Sequence, residues 1–202
     1  MLLVVVAYLL GSVPSAVAIA RLAAGVDIRE LDTGVAGASN VYKHVGPAAG
    51  AAVAVLDVSK GALAVGLLLW ADAGPVLVAA GAVAVVVGHW WPVFAGFRGG
   101  IGAGPAVGAV VVLAPIAFLI AAPFAAAALL IGRRAWPAGS TVLAIPAVVL
   151  LVMEGPTATT GTVAGIAVLV LLRKLTWRRR SASTTGEVDD PDVRAPEPGR
   201  DA

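Results

Sequence analysis

Cysteine is absent from this chain, and charged residues are scarce. Without a cysteine there is no disulfide, no thiolate metal site and no thiol nucleophile. Only 13% of the 202 residues are charged, whereas 59% are hydrophobic and the mean hydropathy is +0.95. A chain of this composition would expose large apolar patches to water. The sequence therefore excludes an ordinary soluble domain and predicts a protein whose solvent is lipid.

Polar interruptions divide the apolar sequence into about seven predicted transmembrane helices. Their approximate bounds are 1–21, 47–71, 76–89, 103–113, 116–132, 139–153 and 157–172. Pro115 separates the fourth span from the fifth, because proline interrupts a helix, and Gly11, Ser12 and Pro14 interrupt the first. The predicted fold class is an all-α integral membrane protein.

The basic residues of the predicted loops all fall on one side of this bundle. They are Arg21, Arg29, Lys43, Arg98, Arg133, Arg134 and the cluster that follows Leu172. The opposite loops contain Asp72 and Glu154 but neither lysine nor arginine. Since cytoplasmic loops are enriched in lysine and arginine, the amino terminus is predicted to lie outside and the carboxyl terminus in the cytoplasm.

One membrane domain followed by a tail is the predicted organisation of the chain. The multi-span domain covers residues 1–175, and residues 176–202 form a basic and then acidic segment that we expect to be disordered in the cytoplasm. The first span resembles a signal peptide, but no basic residue precedes its apolar part and Arg21 follows it. We therefore expect this span to be retained.

Two polar, glycine-rich loops stand out against the apolar background. The first, residues 27–46, reads DIRELDTGVAGASNVYKHVG and is dense in hydrogen-bonding groups, which is typical of a binding surface. The second is Phe97–Gly104, where glycines allow backbone N–H groups to approach a phosphate and Arg98 supplies positive charge. Glycine clusters also occur where helices pack closely, so both interpretations of the second loop stay open.

Two charges lie inside the second predicted span. Asp57 and Lys60 are three residues apart and therefore share one face of the helix. An ionisable group at membrane depth is costly and faces a partner or a watery cavity. The two residues either neutralise each other as an ion pair or line a site, and both interpretations are compatible. His89, at the end of the third span, is either an interfacial hydrogen-bonding residue or a catalytic one.

Several motifs, in order along residues 9–175, resemble those of the bacterial membrane glycerol-3-phosphate acyltransferases that use acyl phosphate, the PlsY family. The first loop resembles DIR-x-x-GSGN-x-GATN-x-x-R, present here as DIR at 27–29, TGV at 33–35, GASN at 37–40 and Lys43. The motif LLD-x-x-KG has its counterpart at 56–61, and GH-x-x-P-x-F-x-x-FKGGKG at 88–102. GSVP at 11–14 resembles the family's GSIP, and Gly139-Ser140 resembles its later Ser-Leu-Gly-Ser.

This resemblance implies transfer of an acyl group from acyl phosphate to glycerol 3-phosphate, giving lysophosphatidate and phosphate in phospholipid synthesis. It also implies seven spans and an active face on the cytoplasmic side of a bacterial inner (plasma) membrane. Acyl phosphate has a good leaving group, so no metal or cofactor is required, and positioning and neutralising two anions supply much of the catalysis. The implied partners are the two substrates and membrane lipid, with no nucleic acid.

Three groups of site residues follow from the matched motifs. The catalytic group is Thr33, Asn40 and Ser140, of which Thr33 and Ser140 would hydrogen-bond the glycerol or the reacting carbonyl. The phosphate-binding group is Ser39, Lys43, Arg98, Gly99, Gly100 and Gly102. The supporting group is Ser12, Asp57, Lys60 and His89.

Some positions depart from the family's pattern. Val35 and Ile101 stand where the motifs have asparagine and the lysine of GGKG, and the last span ends in RKLTW at 173–177 in place of HR-x-N. Loss of one buried charge-assisted phosphate contact costs roughly 2–3 kcal/mol. Two further hypotheses therefore stay open. One is a degenerate paralogue that binds lipid or phosphate without catalysis, and the other is a small transporter that uses Asp57 and Lys60 as a buried relay.

Overall fold

The computed structural model of the protein describes the backbone of residues 1–131 and 138–185 and the side chains of residues 1–123 and 145–177. Nine α-helices make up most of these residues. They are α1 (Leu2–Gly11), α2 (Ser15–Ala24), α3 (Ala38–His44), α4 (Pro47–Trp70), α5 (Pro75–Trp90), α6 (Ala103–Leu113), α7 (Pro115–Ile131), α8 (Ala138–Glu154) and α9 (Ala158–Thr185). The all-α prediction is confirmed, and each predicted apolar segment coincides with a helix or, for the first, with the pair α1 and α2.

Proline residues mark where several helices begin or end. Pro47 and Pro75 are the first residues of α4 and α5, where a helix needs no N–H donor. Pro115 begins α7, at the division that the sequence predicts. Residues Ser12 to Pro14 separate α1 from α2, because Pro14 has no N–H to continue the helical ladder.

Four segments among the described residues are long and apolar enough to cross a membrane. They are Leu2–Ala24, Pro47–Trp70, Pro75–Ala95 and Ala158–Trp177, and shorter apolar helices lie at Ala103–Leu113 and Ile145–Glu154. A multi-pass membrane protein is therefore confirmed, while the number of seven crossings and their orientation remain predictions. Helix α9 runs to Thr185, past the predicted domain boundary at 175, and residues 186–202 lie outside the described part of the chain.

Small residues let the long helices touch through their backbones. Gly88 of α5 lies against the carbonyl group of Tyr8 in α1, where any Cβ would collide. On α4, Gly61 packs in the same way against the Pro105 carbonyl, and Gly108 of α6 packs against that of Val58. Such seams are how helices approach closely in lipid, where no hydrophobic effect drives them together. They hold α1, α4, α5 and α6 as one frame beneath the polar loops.

Ser12 belongs to this frame. It is fully buried, and its hydroxyl donates to the Tyr8 carbonyl oxygen at 2.9 Å. The hydroxyl is a second donor to a carbonyl oxygen that also accepts the Ser12 N–H at 2.9 Å. The supporting role that the motif predicts for Ser12 remains a prediction.

Candidate active site

Two polar loops and the end of α9 meet at one end of the bundle. The first polar loop, residues 27–46, contains α3. The predicted loop Phe97–Gly104 is part of a longer connection between α5 and α6, and the name second polar loop refers from here to residues 91–102. Arg29 of the first loop donates to the carbonyl oxygen of Ala95 in the second at 2.8 Å. The indole N–H of Trp177, on α9, donates to the Thr33 carbonyl oxygen at 3.0 Å. Three segments that are far apart in sequence are thus joined at the predicted site.

Arg29 is held in place by a carboxylate from its own loop. Asp27 accepts its Nη2 and Nε at 2.6 and 2.9 Å, and accepts Arg21 Nη2 at 2.8 Å. These charge-assisted hydrogen bonds, led by the side chain of Arg29, hold the pKa of Asp27 well below its ordinary range despite partial burial. The same pair raises the pKa of Arg29. The fixed guanidinium can therefore reach across to Ala95 with little loss of freedom.

Asn40 gathers the backbone of the first loop around its amide. Its Nδ2 lies 3.1, 3.0 and 3.2 Å from the carbonyl oxygens of Ile28, Leu31 and Val35. Three acceptors around one atom fix that atom as the nitrogen. The side chain is buried, and its Oδ1 makes no hydrogen bond with the residues that the structure describes. The geometry is that of a residue that positions the loop, and the predicted part of Asn40 in catalysis remains a prediction.

The cations predicted to bind phosphate stand at the rim of the site. The side chain of Lys43 is more than half exposed, and its Nζ lies 3.2 Å from Asp32 Oδ2. The side chain of Arg98 is also more than half exposed, and its Nη2 lies 3.8 Å from Glu30 Oε1. Ser39 is half-buried in the first turn of α3. Exposed pairs of this kind are weak, so an anionic ligand can compete for either cation.

Glycines of the second polar loop pack it against α5 and the first loop. The N–H groups of Gly99 and Gly100 donate to the carbonyl oxygens of Trp90 and His89 at 3.2 and 3.0 Å. A Cβ at Gly100 would collide with the His89 ring and the Ala36 carbonyl oxygen. Gly102 has φ of +87° and leaves no room for a Cβ beside Trp90. Close packing is thus one reason for these glycines, and their phosphate-binding role remains a prediction.

A buried polar cluster lies beneath the loops. Lys60 Nζ is 2.8 Å from Asp57 Oδ1, 3.1 Å from the Val13 carbonyl oxygen and 2.9 Å from His89 Nδ1. The hydroxyl of Ser15 donates to the same Asp57 oxygen. Of the two interpretations of Asp57 and Lys60, the ion pair is observed. It also extends through His89 toward the site.

Arg173 near the end of α9 sits among three tryptophan rings. Its guanidinium carbon is 5.7, 5.1 and 5.3 Å from the ring centroids of Trp90, Trp91 and Trp177, within cation–π range. This cluster is not among the predicted features, because its only signals in the sequence are a tryptophan pair before one polar loop and a basic residue at the end of the last span. Arg29, Ser15 and Trp177 are likewise residues of the site that the three predicted groups of site residues do not include.

The remaining predicted residues have simple placements. Thr33 is exposed and contributes its carbonyl oxygen to Trp177. Ile101 is half-buried, and its carbonyl oxygen accepts Trp90 Nε1 at 2.6 Å. Ser140 lies on α8, but its side chain falls outside the described side chains, so its role remains a prediction. Arg133 and Arg134 lie outside the described residues.

A narrow pocket opens between the α1–α2 break, the end of α5 and the second polar loop. Its wall includes Val13, Pro14, Ser15, Val17, His89 and Arg98. The pocket is small, and it brings Arg98 of the second polar loop close to an apolar wall that includes Val13 and Val17.

Similar sequences extend over most of the chain. The sequence profile of the family named "Glycerol-3-phosphate acyltransferase" matches residues 1–184. A glycerol-3-phosphate acyltransferase of Bacillus cytotoxicus is 39% identical over 156 residues, which are 76% of this chain and 77% of that protein. One from Syntrophotalea carbinolica is 35% identical over 175 residues, 85% of this chain and 88% of that protein.

Two crystal structures share the fold. Both are of PlsY (YgiH), an integral membrane glycerol 3-phosphate acyltransferase, one in its glycerol 3-phosphate form and the other in its lysophosphatidic acid form. The first superposes with a TM-score of 0.81 at 30% sequence identity, covering 91% of this chain and 92% of that one. The second gives a TM-score of 0.78 at 30% identity, covering 91% of each chain.

Proposed function

Because this chain belongs to the glycerol-3-phosphate acyltransferase family, we propose that its acyl donor is acyl phosphate and that the reaction takes place where the two polar loops meet α9. The protein is an integral membrane acyltransferase of the PlsY type that forms lysophosphatidate, a step of phospholipid synthesis.

In the proposed reaction a hydroxyl oxygen of glycerol 3-phosphate attacks the acyl carbonyl carbon of acyl phosphate. The new C–O ester bond forms, the C–O bond to the phosphate group breaks, and the hydroxyl proton leaves with the phosphate product. Because the leaving group is already activated, the protein contributes mainly by orienting two anionic molecules and by neutralising their charge. No covalent intermediate on the chain is needed.

The main support for this proposal is that contacts between three segments of the chain assemble the site. Arg29 ties the first polar loop to Ala95 of the second at 2.8 Å, and Trp177 ties α9 to Thr33 at 3.0 Å. Lys43 and Arg98 stand at the rim of this assembly in weak ion pairs, and we propose that they bind the two phosphate groups together with Ser39. Because Ile101 stands in the position of a motif lysine, we propose that these two cations, with Arg173 and Lys174, compensate in part for that lysine.

The resemblance of the motifs to acyltransferases that use acyl phosphate supports the choice of donor. The lining of the pocket is consistent with that choice, because Arg98, a cation that can meet a phosphate group, lies beside apolar Val13 and Val17. We propose that Thr33 and Ser140 contact the glycerol or the reacting carbonyl, and that Asn40 acts by holding the loop in shape.

Turnover of the purified protein tests the donor. With acyl phosphate and glycerol 3-phosphate we expect phosphate and lysophosphatidate to appear in equal amounts. Arg98→Ala should raise KM about tenfold or more, because a charge-assisted phosphate contact of about 1.5–3 kcal/mol is lost. Turnover with an acyl thioester but not with acyl phosphate would refute the proposed donor. Activity that required Val35→Asn and Ile101→Lys would instead identify a degenerate paralogue.

The active face is proposed to be cytoplasmic, with the amino terminus outside. Arg29, Lys43 and Arg98 all belong to the loops at one end of the bundle, and cytoplasmic loops favour such residues. The turn between α4 and α5 contains Asp72, which is exposed.

Labelling with a membrane-impermeant maleimide tests this orientation, and the lack of native cysteine means that no background thiol must be removed. In intact cells we expect Asp72→Cys to react, while Lys43→Cys reacts only after the membrane is opened. Both side chains are exposed, so accessibility within the protein is matched. The reverse labelling pattern would overturn the proposed orientation.

A further inference from the structure

His89 connects the buried polar cluster to the pocket. The residue is almost fully buried at the end of α5, with Nδ1 2.9 Å from Lys60 Nζ. Its Nε2 lies so close to the second polar loop that a Cβ on Gly100 would collide with it. Within the described residues, Nδ1 has Lys60 as its hydrogen-bond partner, whereas Nε2 has none. His89 is one of the residues that line the pocket.

The surroundings of Lys60 determine which ring nitrogen carries the proton. An ammonium group has three protons and no lone pair, so it can only donate. Its three neighbours are Asp57 Oδ1 at 2.8 Å, the Val13 carbonyl oxygen at 3.1 Å and His89 Nδ1 at 2.9 Å. His89 Nδ1 is therefore an acceptor, which places the proton of the neutral ring on Nε2. The cluster thereby presents an N–H donor to the pocket.

The pocket around this donor is mostly apolar. Val13, Pro14, Ala16 and Val17, from the α1–α2 break and the start of α2, are among its lining residues. A phosphate dianion needs the cation at the Arg98 end of the pocket, whereas a carbonyl group needs one hydrogen bond and can lie against the apolar wall. The chemistry that fits Nε2–H is thus a carbonyl oxygen attached to an apolar chain.

We propose that His89 donates its Nε2–H to the carbonyl oxygen of the acyl donor and stabilises the negative charge that forms there during attack. As the glycerol oxygen bonds to the carbonyl carbon, the π electrons of the C=O bond move onto this oxygen. They return when the C–O bond to the phosphate group breaks, and His89 keeps its proton throughout. Removing one such donor from an acyl-transfer site costs about 10²–10³ in kcat. This inference rests on the proposed use of acyl phosphate.

Kinetics of two His89 variants give the first test. We expect His89→Phe to lower kcat about a hundredfold, while KM for glycerol 3-phosphate stays within about twofold. His89→Gln should regain at least tenfold of that loss, because its side-chain amide can donate from a similar position. A silent wild type would overturn the proposed function. An active wild type whose kcat survives His89→Phe would overturn the role of His89 alone.

The tautomer can be measured in the unmodified site, so that the inference does not depend on a variant that folds. The chain has two histidines, and His44→Gln leaves His89 as the single ring to observe after labelling with ¹⁵N-histidine. We expect a pyridine-type Nδ1 and a protonated, pyrrole-type Nε2 whose signal shifts when a non-hydrolysable acyl phosphonate binds. A proton on Nδ1, or an Nε2 signal unmoved by the bound phosphonate, would overturn the proposal.

Discussion

Replacement of Lys60 by methionine is expected to destabilise the protein by about 3–5 kcal/mol, because it leaves the buried carboxylate of Asp57 without its counterion. Both side chains are at most 7% exposed and lie near the middle of α4, which is long and apolar enough to cross a membrane. Methionine matches the length of the lysine stem but offers no donor, so the Val13 carbonyl oxygen and His89 Nδ1 also lose their partner. For a chain of this size the loss corresponds to a fall in Tm on the order of 10 °C.

Thermal unfolding in detergent, compared with the double variant Asp57→Asn with Lys60→Met, measures this effect. Asparagine keeps the size of the aspartate, which matters because Gly104 packs directly against Asp57, and it can still accept the hydroxyl of Ser15. Removing both charges should restore most of the lost Tm, since a neutral pair avoids the buried unpaired charge. A Lys60→Met protein within about 2 °C of the wild type would mean that the pair does not brace the fold.

The same double variant separates stability from chemistry. With methionine at position 60, no ammonium group donates to His89 Nδ1, so the proton of the ring is no longer confined to Nε2. We therefore expect Tm to recover while kcat stays low. Full recovery of both would show that the cluster serves only to stabilise the helix packing.

Much of the fold is predictable because the membrane imposes it. Apolar runs separated by Pro115 and by the polar turn before Pro75 mark helix boundaries, and the observed helices begin at those two prolines. The distribution of Arg29, Lys43 and Arg98 also predicts that the two polar loops share one side, and the contact from Arg29 to Ala95 joins them there. Hydropathy and charge are properties of short windows, so a single sequence reveals them.

The contacts that close the site are less visible in a sequence. The hydrogen bond from Trp177 to Thr33 joins residues 144 positions apart, and Arg173 meets Trp90 only after α5 and α9 have packed. Periodicity carries no signal for such pairs. The positioning role of Asn40 is also not visible in the sequence. The backbone angles of the whole loop determine which carbonyl groups point toward its side chain.

Replacement of Asn40 by aspartate is expected to lower activity more than the loss of the His89 donor does. The substitution keeps the shape of the side chain but replaces the two N–H donors by a carboxylate oxygen, facing the carbonyl oxygens of Ile28, Leu31 and Val35. At about 2 kcal/mol for each buried donor lost, roughly 4 kcal/mol of loop stabilisation disappears. Because this loop carries Ser39 and Lys43, we expect kcat/KM to fall about a thousandfold.

Tyr42→Phe provides the matched control for that experiment. It also removes one hydrogen-bonding group from α3, but at an exposed position two residues away, so activity should remain within about twofold of the wild type. Limited proteolysis of the first polar loop should show faster cleavage in Asn40→Asp and no change in Tyr42→Phe, because only the former frees the loop backbone. An Asn40→Asp protein that loses turnover while its loop stays protected would contradict positioning as the role of Asn40. That result would instead place the amide in direct contact with a substrate, as the matched motif predicts.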